Sequence, residues 1–235
     1  MLSFLANAPK RTHTAYLDPL PLGGHYTSSF PNPPKSPIIT NRQLLPPYAG
    51  PHVSTFSEPP YHYHIRQYET FTVESGSLLA TVDDEKSVVK TGESVTVKPG
   101  QYHTFRNASE SEDVQVLIEL PRLGGNAGMF EEKFVRNAFS YGLDCKRDGN
   151  VGETSPWQML LFMWDADIFL AIPIKGVPKT IQKGISWIVM FVGGVIIGER
   201  LLGYKRTYPE YYSEPSEVEE PTKGEGDGVK VEKED

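Results

Sequence analysis

Between residues 61 and 121, four short β-prone runs follow one another with turn signals between them: Thr70–Val73, Ser77–Val82, Ser94–Val97 and Val114–Leu120. Gly76, Asp83-Asp84, Gly92 and Gly100 punctuate them. β-Branched and aromatic side chains favour extended backbone, and glycines or acidic pairs at this spacing fold such runs back on one another. A chain of this kind makes an antiparallel sandwich or barrel. No internal repeat is visible, so the expectation is an all-β unit with one barrel.

The flanks differ in character. Residues 1–60 hold twelve of the twenty prolines, including Pro33-Pro34, Pro46-Pro47 and Pro59-Pro60. Proline fixes φ and removes an N–H donor, which excludes long helices and central strands. The reading is a Pro-rich N-terminal arm over 1–50, lying along a barrel core at 51–125, with short edge strands near Ile38-Ile39 and Val53–Phe56. A disordered arm is the alternative that this composition allows. Residues 126–206 read as a helical region holding two apolar stretches, Trp157–Ile174 and Ile185–Gly198. Residues 207–235 are acidic and poor in apolar side chains, which predicts a disordered tail.

Composition removes several function classes. A formal charge of −7 with no Lys/Arg run argues against a nucleic-acid partner. Cys145, the single cysteine, excludes an internal disulfide and cysteine-based zinc sites. Met1–Ala6 is too short for a secretory apolar core and has no basic stretch before it, so a cytosolic face is expected.

The chemistry lies in His62-Tyr-His64, Glu69 and His103. Two histidines two residues apart on a strand point to the same face. Phe71 and Val73 share the parity of Glu69, while Phe105 and Asn107 share that of His103. An inward face with three imidazoles and one carboxylate suits a first-row divalent metal and leaves two octahedral positions for substrate, water or dioxygen. Scattered histidines on half-exposed strands are the alternative. It fits His13, His25 and His52, which stand in proline-rich loops, but not this set, because burying three imidazoles and a carboxylate is costly unless something pairs them.

With those residues in view, His62-x-His64-x4-Glu69-x6-Gly76 resembles the first motif of the cupins, and Gly92-x7-Gly100-x2-His103-x3-Asn107 resembles the second. Two positions depart from the pattern. Ser57-Glu-Pro-Pro60 replaces a glycine expected before the first histidine, and Lys98 takes the usual proline place beside Pro99. Neither is a ligand position. The resemblance implies a single cupin jelly-roll barrel with C-terminal apolar helices. It also implies a metal held by His62, His64, Glu69 and His103, with iron or manganese first and zinc or nickel as alternatives. The wider layout (a Pro-rich leader, one cupin, an apolar C-terminal segment) is similar to the cupin-domain oxidoreductases of fungal polyketide clusters, the salicylaldehyde-forming kind.

Three functions compete. The first is a metal-dependent oxidoreductase acting on a phenolic or polyketide-derived molecule of secondary metabolism. The second is a Lewis-acid isomerase or cyclase that stabilises an enolate without redox change. The third is a small-ligand-binding cupin without turnover, which the intact ligand set argues against. Tyr61, Tyr63, Phe71, Tyr102 and Phe105 could form an aromatic mouth, with Phe71 and Phe105 favoured by parity, although plain barrel core suits most of them. Arg66 near the rim could meet an anionic group. No nicotinamide site is expected: Gly124–Gly128 and Gly193–Gly198 lack the G-x-G-x-x-G spacing, so hydride would come from a partner dehydrogenase.

Ile185–Gly198 is apolar but only fourteen residues long, where a span needs about 20. Extended past Glu199-Arg200 to Tyr204, the segment 185–204 reaches that length, with Trp187 and Tyr204-Lys205-Arg206 as interfacial anchors. The competing reading is a helical pair packed on the barrel or on a second subunit of a homodimer.

Overall fold

A computed structural model describes residues 2–6, 8–32, 36–50, 58–121, 129–148 and 153–213. Its strands are β1 (Leu20–Gly23), β2 (Tyr26–Ser29), β3 (Ile38–Leu45), β4 (His62–His64), β5 (Glu69–Ser75), β6 (Ser77–Val82), β7 (Glu85–Lys90), β8 (Ser94–Val97), β9 (His103–Asn107), β10 (Val114–Pro121) and β11 (Ile168–Leu170). They form a six-stranded sheet in the order β1-β2-β3-β10-β5-β8 and a five-stranded sheet in the order β11-β4-β9-β6-β7. All pairings are antiparallel.

Local chemistry explains the folding back. Asp83 and Asp84 both have positive φ and turn β6 into β7 with Val82 opposite Glu85, the two-residue geometry that matches strand twist. Gly76, at φ +81°, separates β5 from β6, and a Cβ there would lie 2.6 Å from the Asp113 carbonyl oxygen. Along β10, Val114, Val116, Ile118 and Leu120 are buried in strict alternation and meet Phe71, Val73, Leu78 and Phe105 between the sheets. Removing such side chains from water, at about 1.5–3 kcal/mol each, is what holds the two sheets face to face.

The N-terminal region is a part of the sheet rather than an arm laid along it. β3 runs between β2 and β10 and pairs with β10 from Ile38 to Leu45. Prolines stand where they do not interrupt it: Pro37 precedes the strand and Pro46-Pro47 follow it. The expected strand at Val53–Phe56 and the glycines at 124–128 lie outside the described residues.

An all-β description is also too narrow. α1 (Met129–Arg147), α2 (Pro156–Asp165) and α3 (Lys179–Met190) pack on the sheets, and α3 continues in wider π-type turns over Phe191–Leu202. The stretch Trp157–Ile174 is not one helix. Asp167, at φ +58°, breaks it, and Ile168–Leu170 returns as β11 beside β4. The α3 continuation meets α2 through glycines: a Cβ on Gly198 would lie 2.8 Å from the Trp157 carbonyl oxygen, and one on Gly193 2.6 Å from Leu160. Residues 207–213 are not part of a disordered tail. Tyr208, Tyr211 and Tyr212 are buried, and the Tyr208 N–H donates to Asn137 of α1. Residues 214–235 lie outside the described residues.

Candidate metal centre

β4 places two histidines in one barrel interior because it is covered on both sides. His62 and His64 face inward, while Tyr63 between them stacks on Phe169 of β11, centroids 5.6 Å apart. β9 sets His103 directly opposite His62. Glu69 opens β5 in the other sheet, opposite Val97. The Gly100 N–H donates to the His64 carbonyl at 2.7 Å and so ties the β8–β9 loop to the ligand strand.

All four side chains are buried, and their candidate ligand atoms lie within 4.8 Å of one another. Nδ1 of His62 donates to the Pro60 carbonyl at 2.8 Å, and Nδ1 of His103 to the Gln101 carbonyl at 3.2 Å. These bonds fix each tautomer and leave Nε2 as the free electron pair, the arrangement that metal-ligating histidines use. His103 Nε2 lies 2.9 Å from Glu69 Oε2. His64 Nε2 is 3.5 Å from that oxygen, and neither ring nitrogen of His64 has a hydrogen-bond partner. A buried imidazole with no partner is expensive. A cation shared with Glu69, His62 and His103 removes that cost, so the residues present fit a divalent ion.

Electrostatics agree with this fit. Burial, followed by the neighbouring His103 and His64, holds the His62 imidazole well below its ordinary pKa, in the neutral form that ligates. Burial pushes the Glu69 carboxyl up, but the His103 and His64 imidazoles, 2.9 and 3.5 Å from its oxygen, outweigh it and hold the group well below the usual carboxylate range. Three neutral donors and one anion suit a divalent first-row metal.

The site opens on a cavity of about 230 Å³. His62, His64 and Glu69 line one part, and Gln43, Phe105, Ile118 and Ile168 line others. Phe134, Val135, Ala138 and Phe139 of α1, with Met159 of α2, line the helical side. Glu58 is the one ionisable lining side chain outside the candidate ligands, among the described residues.

The structure separates the substrate-contact residues expected from sequence. Phe105 lines the cavity. Phe71 stands behind it in the barrel core, ring centroids 4.8 Å apart. Arg66 does not line the cavity: its side chain is exposed and lies 3.6 Å from Asp167. Tyr63 and Tyr102 pack on each other and sit below the Lys183 ammonium, so they form no mouth. His13 and His25 are exposed, as expected of loop histidines, and His52 lies outside the described residues. Gln43 and the α1 wall are absent from the sequence reading. The pairs 134/135 and 138/139 do carry a helical repeat, which signals a buried face but not what it covers.

Residues 54–118 match the cupin domain family. The probable oxidoreductase virH of Hypocrea virens is 33% identical over 162 residues, which cover 68% of this chain and 71% of virH. The chain belongs to the cupin superfamily. This cupin is also 27% identical over 219 residues to the probable oxidoreductase yanE of Aspergillus niger, covering 88% of this chain and 81% of yanE. Among solved structures, the cupin domain of Schizosaccharomyces pombe Cnp3 aligns over 43% of this cupin and 66% of that chain, with 15% identity and a TM-score of 0.35.

Proposed function

We propose that this cupin is a metal-dependent oxidoreductase acting on a small phenolic or polyketide-derived molecule. The observation that carries the reading is the unpartnered His64 imidazole, grouped with His62, Glu69 and His103 beside a largely apolar cavity. The names of virH and yanE as probable oxidoreductases point the same way. A bound iron or manganese ion supplies a Lewis acid for a substrate oxygen and a redox-active centre. The chain does the rest. Pro60 and Gln101 orient two imidazoles, Glu69 contributes the single negative charge, and the α1 face keeps bulk water out.

The test is replacement of the native metal by zinc, with a panel of monocyclic phenols and polyketide aldehydes as substrates. Turnover and dioxygen uptake are expected to fall to background. Undiminished turnover with no dioxygen consumed would instead establish Lewis-acid catalysis. Glu58 favours that second reading to the extent that a carboxylate on the cavity wall can move a proton.

The α1 wall makes a separate prediction. Ala138→Phe adds a ring to a cavity of about 230 Å³. We expect an order-of-magnitude loss of phenol affinity with metal content unchanged, at a repacking cost of about 1–3 kcal/mol in stability. Paired metal analysis and ligand titration check this. Retained affinity would place the substrate elsewhere.

Location follows from the C-terminal helix. Lys179–Leu202 is 24 residues long and holds an 18-residue window with a mean hydropathy of 1.8, of which 33% is buried, so by length and composition it could cross a membrane. Its inner side is held by α2, while Ile181, Trp187, Ile188, Val189, Val192 and Leu201 face outward. Our proposal is that this outward side attaches the protein to the cytoplasmic face of a bilayer, with Trp187 at the polar edge and exposed Lys175, Lys179 and Arg200 near the head groups. The full-length protein is then expected in the membrane fraction after a carbonate wash. A monodisperse soluble protein without detergent would contradict this.

A further inference from the structure

Gln43 stands out because it lines the cavity and its amide makes no hydrogen bond to a described residue. It lies on β3 in the six-stranded sheet, is 5% exposed, and lines the same cavity as His62, His64 and Glu69. Its inward neighbour Asn41 does not line the cavity: its Oδ1 accepts from the Ser28 hydroxyl at 2.6 Å, and its Nδ2 is buried without a partner. Gln43 has no such bond to any described residue, and its amide carries two donors and a two-lone-pair acceptor. An amide cut off from water without a partner costs on the order of 1–3 kcal/mol, so this one needs a partner from whatever fills the cavity. A hydrophobic residue would fill this place without that penalty, as Val116 and Val73 do in the same row.

The register sets Gln43 apart from the metal site. Val116 pairs with Gln43 on one side and with Val73 on the other, and Val73 lies four residues along β5 from Glu69. Gln43 is therefore ~10 Å across and ~14 Å along the sheet from Glu69, so the two meet the cavity from different ends. The volume of about 230 Å³ lies below the usual range for drug-sized ligands. One six-membered ring with small substituents fills it.

We infer that Gln43 is a specificity-determining residue that hydrogen-bonds a hydroxyl or carbonyl oxygen at the end of a monocyclic ligand distal to the metal site. This deepens the proposed function and rests on it for the proximal end of the ligand. Apolar walls from α1 and Phe105 hold the ring, and the amide decides which ring enters. A site built around a hydrogen bond rejects an analogue that leaves its amide unpaired, and this gives selectivity that apolar contact alone lacks.

The experiment uses the full-length protein loaded with cobalt(II), without oxygen, titrated calorimetrically with hydroquinone and with 4-methylphenol. The probes differ by hydroxyl against methyl, and the visible cobalt bands are read in the same samples. The wild type is expected to prefer hydroquinone by about tenfold. The near-isosteric Gln43→Met is expected to reverse the preference, with cobalt content and melting temperature close to wild type. Gln43→Leu serves as the second variant should Gln43→Met not fold. No preference in the wild type, or the same preference in a folded Gln43 variant, overturns the inference whatever the cobalt bands show. A Gln43-dependent preference without cobalt binding upholds it and removes the metal reading instead.

Discussion

His64→Ala and His103→Ala are each expected to empty the metal site, taking the content from about one ion per chain to about a tenth or less. Loss of a partner one shell out from a metal already weakens affinity by about 10–100-fold, and a ligand matters more. The two variants should differ once the metal is removed. After chelation His103 Nε2 is left 2.9 Å from the buried Glu69 carboxylate, where it can donate once the ring proton sits on it, so its loss strips a buried anion of its nearest partner. The His64 side chain makes no hydrogen bond, and removing it breaks none. Chelator-treated His103→Ala should therefore melt clearly below chelator-treated His64→Ala. Elemental analysis and thermal melting with and without chelator measure both effects. Full metal content in either variant would remove that residue from the ligand set.

Asp144→Ala is expected to be the most destabilising single change away from the metal site, at about 3–5 kcal/mol. Asp144 is fully buried near the end of α1 and accepts four bonds of 2.7 Å: from the Thr12 N–H, the Thr12 hydroxyl, the Tyr211 hydroxyl and Arg147. It joins the N-terminal segment, α1 and the buried tyrosines after residue 207 in one knot. Burial, with the adjacent Asp144 carboxylate, raises the Tyr211 hydroxyl far above its ordinary pKa, so it stays protonated and must donate. Alanine leaves those donors unpaired, and the melting temperature should fall by about 10 °C. Because α1 also walls the cavity, phenol affinity should weaken as well, while the metal ligands on β4, β5 and β9 keep their ion. A fall of only a degree or two would mean that water replaces the carboxylate without loss.

The metal cluster was legible in the sequence because strand parity is strict. His62 and His64 share a face, Glu69 starts a strand, and the β9 register sets His103 against His62. Parity does not operate for Arg66, which lies in the turn between β4 and β5 with its guanidinium 3.6 Å from Asp167. β3 was taken for part of an arm because its inward residues include Asn41 and Gln43, which blur the alternation, and prolines crowd both ends. β11 was hidden inside an apolar run: three residues, Ile168–Leu170, carry no period of their own, and only their pairing with β4 makes them a strand. The tyrosines at 208, 211 and 212 were lost in an acidic context, although three aromatics in five residues is a packing signal.

X-ray absorption spectroscopy of the purified wild-type chain bears most directly on the metal centre, since it identifies the ion and its neighbours together. The four-residue cluster predicts about one first-row divalent ion per chain, iron or manganese, surrounded by nitrogen and oxygen with the outer-shell scattering of about three imidazoles. A protein that retains no first-row ion after purification and reloading, or whose ion shows sulfur ligation or no imidazole scattering, would contradict it.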